Sequence, residues 1–183
     1  QANWDAVYTM TQTTSANWTQ INTGSTDGRI LGASGTTTYY YINGNLSFTN
    51  NRTDNDGNGN SGLKIQGTVY LYVPEGVTVT CIGANGNGTT GAGAGIELSL
   101  GNSLYLIGGG TLNATGGKAA NGGNGGKGVD SGGTWNESTS TGSGGSGGYG
   151  GGGAGAGIGT RGGNGGNGGA GGSGYTYTDW KDD

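Results

Sequence analysis

The side chains best suited to bind a metal ion are concentrated in one short run, Asp54-Asn55-Asp56-Gly57-Asn58-Gly59. Alternating oxygen ligands followed by glycine match the opening of a calcium-binding loop, in which Asp54, Asp56 and Asn58 would converge on the ion. The carboxylate required at the twelfth position of such a loop is replaced by Ile65. A turn built from residues that tolerate positive φ is therefore the favoured interpretation, with calcium as the alternative and no other cofactor expected.

Carboxylates that could catalyse glycoside cleavage are few and scattered. That chemistry needs two acids on one face, but Glu75 lies in a predicted turn and Glu97 is expected to be a solvated residue beside Ser99. The chain has no histidine and one cysteine, which excludes His-containing triads, Cys/His zinc sites and internal disulfides. We therefore expect no enzymatic activity, and we expect Cys81 to be a small buried hydrophobic residue.

Outward-facing tyrosines are the most specific candidates for a contact surface. Tyrosines at alternate positions of two predicted strands would stack Tyr39 on Tyr70 and Tyr41 on Tyr72, and Tyr105 lies on a strand of the next unit. A tyrosine has a rigid apolar face and a polar tip, so these rings could stack on sugars or contact another protomer. The alternative is that the glycine-rich part of the chain simply packs on them.

Three strand-turn-strand units, which we call coils, position these tyrosines. Apolar residues alternate within each coil, and the predicted alignment makes equivalent the residues Ile42, Val73 and Leu100 before the turns and Leu46, Val77 and Leu104 after them. Such an internal repeat predicts a short parallel β-solenoid whose stacked coils bury one continuous apolar column, including Leu100. Thr111 to Thr115 is interpreted as the start of a last, weaker rung.

From Gly116 onward glycine replaces the strand pattern. Between Gly142 and Gly174 roughly two residues in three are glycine, and side chains such as Arg161, Asn164 and Asn167 recur at every third position. A helix of the polyproline II type has three residues per turn, so two of its edges would be bare and neighbouring backbones could hydrogen-bond. We predict polyglycine II-like helices beside the solenoid; a disordered linker is the alternative.

The predicted fold class is thus all-β, with a short parallel β-solenoid, adjoining polyglycine II helices and essentially no α-helix. The predicted organisation has four parts: N-terminal cap strands at 1–35, solenoid coils at 36–115, the polyglycine-II-like segment at 116–174 and a C-terminal tail at 175–183.

Composition and charge restrict the partners and the location. The 183 residues include 50 glycines and carry a net charge of −4 without a basic stripe, so no nucleic-acid partner is expected. No apolar run of about 18 residues exists, so no membrane insertion is expected. The start, Gln1-Ala2-Asn3-Trp4, would suit a mature terminus left by signal cleavage, which favours a secreted, cell-surface location. Six sequons are candidate N-glycosylation sites, although chance produces some in such a chain: Asn17, Asn45, Asn51, Asn87, Asn113 and Asn136.

Several motifs resemble those of a known class of proteins. Val73-Pro74-Glu75-Gly76-Val77-Thr78-Val79, Gly93 to Glu97 and Gly109 to Gly117 resemble glycine-rich right-handed β-helix modules of secreted or wall-attached bacterial surface proteins, often from Firmicutes. The resemblance covers about residues 36 to 174 and implies a non-catalytic extracellular module for adhesion or carbohydrate binding. The glycine-rich part is also similar in kind to some phage tail-fibre tips and to an arthropod antifreeze protein, whose disulfides this chain lacks. None of these resemblances supplies site residues.

The function expected from the sequence is structural. We expect an extracellular protein that self-associates as a homo-oligomer or polymer, in a filament or surface layer, because a solenoid has open ends. The alternative is an adhesin module that binds cell-surface glycans through the tyrosines. A third possibility is ice binding, which would need a flat threonine array; neither Thr36-Thr37-Thr38 nor Thr78 and Thr80 repeat between the aligned coils.

Overall fold

The computed structural model describes residues 18–52, 60–126 and 146–170, and within these ranges every regular element is a β-strand. The strands are β1 (Trp18–Ile21), β2 (Arg29–Ile42), β3 (Leu46–Thr49), β4 (Leu63–Tyr72), β5 (Thr78–Ile82), β6 (Ile96–Glu97), β7 (Ser103–Ile107), β8 (Thr111–Thr115) and β9 (Ile158–Gly159). The prediction of an all-β chain without α-helix is confirmed for these residues. They contain no helix that could cross a membrane.

The strands form two sheets in which the named neighbours are all parallel. The long sheet has the order β1-β2-β4-β6-β9, with β7 also pairing with β4, and the short sheet has the order β3-β5-β8. Parallel neighbours cannot be joined by a tight hairpin, so the chain passes to the other sheet before it returns. It runs from β2 to β3, back to β4, on to β5, and later from β7 to β8.

The register between the first two coils agrees with the predicted alignment in one sheet only. In the long sheet Tyr41 lies opposite Tyr72, so the next residues, Ile42 and Val73, are equivalent as predicted. In the short sheet Leu46 lies opposite Val79, so the predicted pairing of Leu46 with Val77 is wrong by two residues. Strand alternation has a period of two, and a shift of two residues leaves the same side chains facing inward. The pattern alone therefore does not distinguish the two registers.

The third coil is displaced further from its predicted position. Leu104 lies opposite Val69, so it precedes the turn instead of following it, and its alignment with Val77 is wrong. Leu100, predicted to face the core, is fully exposed. β8 pairs with β5 and is the second strand of this coil, not the start of a further rung. Glycine interrupts the strand pattern at Gly101, before β7, and again at Gly108 to Gly110, after β7. The hydrogen bond from Gly110 N to Val73 O (3.0 Å) places the second interruption beside the turn of the previous coil, so the turn of the third coil lies there.

An apolar column lies between the two sheets. β4 alternates buried and half-buried residues from Leu63 to Tyr70, as expected for a strand with one face in the core. The buried cluster is Ile21, Leu31, Ile42, Phe48, Leu63, Ile65, Val69, Leu71, Val73, Val79, Cys81 and Ile96. The prediction that Cys81 is a buried apolar residue is confirmed, and its burial raises the pKa of the thiol from 9.0 to about 12.

The glycine-rich residues form extended segments joined by hydrogen bonds at every third residue. Segment 117–126 runs antiparallel to segment 146–156, which in turn runs antiparallel to segment 160–170. The first pair is joined by bonds from Ala120 N to Gly152 O, Gly123 N to Tyr149 O and Gly126 N to Ser146 O (2.8–3.0 Å). The second pair is joined by bonds from Gly147 N to Gly169 O, Gly150 N to Gly166 O and Gly153 N to Gly163 O (2.8–3.1 Å).

These glycine segments contact strands of their own chain. Ala92 N donates to Gly153 O (2.9 Å), and β9 pairs with β6 by placing Ile158 opposite Ile96. A Cβ on Gly155 would overlap the carbonyl oxygen of Gly93, so the close approach requires glycine there. The predicted boundary at residue 35 falls inside β2, whereas residue 116 directly follows β8.

Candidate functional site

Four aromatic side chains form a ladder across the outer face of the long sheet. Trp18, Tyr39, Tyr70 and Tyr105 occupy directly opposite positions in β1, β2, β4 and β7. The ring centroids are 4.9 Å apart for Tyr39 and Tyr70 and 4.5 Å apart for Tyr70 and Tyr105, with interplanar angles of 18° and 10°. Trp18 is tilted by 53° against Tyr39 at 5.2 Å. These spacings are close to the separation of neighbouring strands, so the register itself produces the stack.

Stacking covers most ring faces of the ladder. Tyr70 stacks on Tyr39 by one face and on Tyr105 by the other, and Tyr39 has Tyr70 on one side and the tilted ring of Trp18 on the other. Tyr105 is the last ring among the described residues and is 49% exposed. Its outer face is therefore a flat aromatic surface, at one end of the described ladder, that a ligand or a protomer could cover.

The ladder includes Trp18, which was not predicted to face the tyrosines, and it does not include Tyr72, which was. Trp18 was assigned only to the N-terminal cap, although aligning Ile21 with Ile42 would have placed it opposite Tyr39. Tyr72 is only 2% exposed, so its predicted place on an outward contact face is wrong. The backbone near Gly108 passes close to its ring. Tyr41 lies opposite Tyr72 and is half-buried.

No protein family, curated protein or solved structure matches this chain. The resemblance to glycine-rich surface modules therefore stays a prediction. Function has to be argued from the geometry of the described residues.

The apolar column is uncovered where Tyr105 ends the ladder. Leu106 occupies an inward position opposite Leu71, yet Leu106 is 48% exposed while Leu71 is fully buried. Leu104 and Leu112, on β7 and β8, are likewise only partly buried against the core. β9 covers β6, but no described strand covers β7 or β8 on this side. This surface, formed by β7 and β8, is called the open end below.

A buried polar cluster lies beside β6. Glu97 is 6% exposed, so its predicted role as a solvated residue is wrong; pairing of β6 with β9 helps to cover it. Its carboxylate accepts hydrogen bonds from Ser61 Oγ (3.0 Å) and Ser99 Oγ (3.3 Å), and Lys64 Nζ lies 3.9 Å away. Ser61 Oγ also accepts a bond from Ala94 N (3.1 Å). Ser61 is fully buried, and the cluster joins residues 61–64 to residues 94–99.

The other predicted sites fall into two groups. Asp54, Asp56 and Asn58, the candidate calcium ligands, lie outside the described residues, as do the sequons at Asn17 and Asn136. Among the residues described, no three His, Cys, Asp or Glu side chains come together. The remaining sequon asparagines are all exposed: Asn45, Asn51, Asn87 and Asn113.

Threonines on the outer face of the short sheet form a short array. Thr78 lies opposite Thr111, and in the long sheet Thr37 lies opposite Thr68, so the expectation that these threonines do not repeat between coils is wrong. The repeat of Thr78 was missed because the third coil was aligned incorrectly. Thr80, however, lies between Ser47 and Asn113. The described part of the short sheet therefore has no continuous threonine array of the kind that ice binding would need.

Proposed function

We propose that this protein is an extracellular structural module that self-associates, in a filament or surface layer, and has no catalytic role. Its architecture is a short parallel β-solenoid with adjoining polyglycine II helices. Alternation of the chain between two parallel sheets supports the solenoid, and hydrogen bonding at every third residue supports the polyglycine II helices.

The observation that carries this proposal is the exposure of Leu106 at an inward position of the open end. In a stack of coils each inward leucine is covered by the next coil, and covering the exposed half of one leucine side chain contributes about 1 kcal/mol. The edges of β7 and β8 also present backbone groups that can pair with another strand. An apolar surface bordered by two open strand edges favours association with another protein chain.

Concentration-dependent association tests the proposal. Light scattering and sedimentation of the purified protein should show a mass that rises with concentration, and Leu106→Lys should reduce this association strongly. Ile82→Lys is the matched control, because Ile82 is 39% exposed but lies on the outer face of the short sheet. A wild-type protein that stays monomeric at all concentrations would contradict self-association. Equal association of the two variants would exclude the open end as the contact.

Glycan binding is the second candidate function, and the exposed outer face of Tyr105 favours it. A sugar ring stacked there would use the apolar face, so Tyr105→Phe should keep binding on a glycan array and Tyr105→Ala should lose it. The same face belongs to the open end, so a bound glycan should also reduce self-association. A glycan array without signal for the wild type would exclude this alternative.

A further inference from the structure

The open end is suited to contact a second copy of itself. The inward side chains of β7 are leucines, the half-buried Leu104 and the exposed Leu106, and the ring that borders them is Tyr105. The opposite end of the long sheet, at β1, instead presents Thr19 and Gln20 as exposed residues. An apolar surface is best covered by another apolar surface, so the open end of a second chain is a better complement than β1.

Strand geometry then restricts how two open ends can meet. An isologous contact places the same strand of both copies on a two-fold axis, which makes the pair antiparallel. Residues directly opposite in an antiparallel pair point to the same side of the sheet. A pair centred on Tyr105 uses all five residues of β7 and keeps leucine facing the core in both copies. Leu104 of each copy then lies opposite Leu106 of the other.

The same centre continues the aromatic ladder. Tyr105 stacks on Tyr70 by one face, and in this arrangement its other face meets Tyr105 of the second copy. The ladder and the apolar column would both run through the two-fold axis without interruption. Unpaired edge groups of β7 would be satisfied at the same time, which removes the exposed strand edge.

From these observations we infer that the open end is a two-fold interface between two copies, with β7 paired antiparallel to β7 about Tyr105. The inference rests on the proposed self-association and deepens it by naming the partner and the symmetry. An isologous contact closes after two chains, so the first assembly step is a dimer. Any filament would be built from such dimers through a different surface.

A symmetric disulfide tests this geometry. In a Cys81→Ala background, Tyr105→Cys places two thiols opposite each other across the axis, within the Cα separation that a disulfide allows. Oxidation should give covalent dimers of twice the chain mass, and Ile82→Cys in the same background should give none. Because the cysteine removes the tyrosine ring, a second variant, Ser103→Cys with Ile107→Cys, should also cross-link. These residues lie opposite each other in the same register.

The outcomes separate the interface from the proposed function. Association whose first step is a dimer, with cross-linking at both β7 sites, supports the two-fold interface. Association without cross-linking at either site, or association that passes through no dimer, overturns the interface but leaves self-association standing. A wild type that is monomeric throughout overturns both.

Discussion

The rings of Tyr70 and Tyr105 stack with centroids 4.5 Å apart and planes inclined by 10°, because the two residues lie directly opposite each other in β4 and β7. The parallel register thus turns tyrosines that are far apart in the sequence into one continuous stack. The other face of Tyr70 is covered by Tyr39 at 4.9 Å. Tyr70 therefore connects three neighbouring strands by its side chain as well as by its backbone.

Replacing the central ring should destabilise the fold. An aromatic pair contributes about 0.5–1.5 kcal/mol beyond the burial of its surface, and Tyr70 takes part in two such pairs. We expect Tyr70→Ala to lower the free energy of unfolding by about 1–3 kcal/mol in urea titrations. Tyr70→Phe keeps both stacks and is the matched control, with a change below about 0.5 kcal/mol. Equal losses for the two variants would mean that the hydroxyl group, not the stack, stabilises the sheet.

The thiol of Cys81 should make stability depend on alkaline pH. Burial raises its pKa from 9.0 to about 12, so the unfolded chain loses this proton above pH 9 while the folded chain keeps it. The stabilisation is complete below pH 9 and is lost as pH rises toward 12, by about 1.4 kcal/mol per pH unit. Unfolding free energies of wild type and Cys81→Ala, measured from pH 8 to 11, should differ in slope by this amount. Parallel curves would contradict the raised pKa, because the two proteins differ only at residue 81.

The two serines that bond to Glu97 should contribute unequally to stability. Ser61→Ala leaves a buried carboxylate oxygen and the amide of Ala94 without this hydroxyl, and each such loss costs about 1–3 kcal/mol. Ser99 is half-buried and bonds to Glu97 at the longer distance of 3.3 Å, so Ser99→Ala should cost less than about 1 kcal/mol. Thermal melts of the two variants measure the difference. A larger loss of stability for Ser99→Ala than for Ser61→Ala would mean that the half-buried bond from Ser99, not the buried bond from Ser61, stabilises the cluster.

Alternation of apolar residues predicts strand type and inward-facing residues better than it predicts register. Alternating residues around Tyr39 and Tyr70 identified two strands and their stacked tyrosines. The predicted alignment of the third coil is wrong because glycine interrupts the chain on both sides of β7. The period-two alternation continues across both interruptions, so the pattern does not show which of them is the turn. Only the hydrogen bonds between strands, such as Val73 N to Ile107 O, distinguish the two positions.

Of the candidate site, the stacking of tyrosines in the first two coils was predicted, but the burial of other residues was not. Tyr39 and Tyr70 were placed correctly because their strands align without an inserted turn. Burial of Tyr72 and Glu97 does not follow from local alternation, since it depends on residues distant in the sequence. The backbone near Gly108 lies close to the ring of Tyr72, and β9 and Ser61 lie beside Glu97. Local alternation describes which face a residue occupies, but not what later covers that face.

Two adjacent glycines of segment 160–170 test whether it is an ordered, threefold-bonded segment. A Cβ on Gly165 would overlap the carbonyl oxygen of Gly150, whereas a Cβ on Gly166 would have no described atom within 4 Å. We expect Gly165→Ala to destabilise the protein by about 1–3 kcal/mol through overpacking. Gly166→Ala should be neutral or stabilise it by about 0.4–1 kcal/mol, because alanine reduces the entropy of the unfolded chain.

Chemical denaturation of the two variants makes the comparison, with hydrogen exchange of the Gly150 amide as a local readout. That amide donates to Gly166 O (3.0 Å), so it should lose protection in Gly165→Ala and keep it in Gly166→Ala. A disordered linker would give two variants of equal stability and an unprotected amide in both. Such a result would exclude the polyglycine II helices of the proposed architecture, whereas a loss confined to Gly165→Ala would show that glycine is required at this contact between neighbouring backbones.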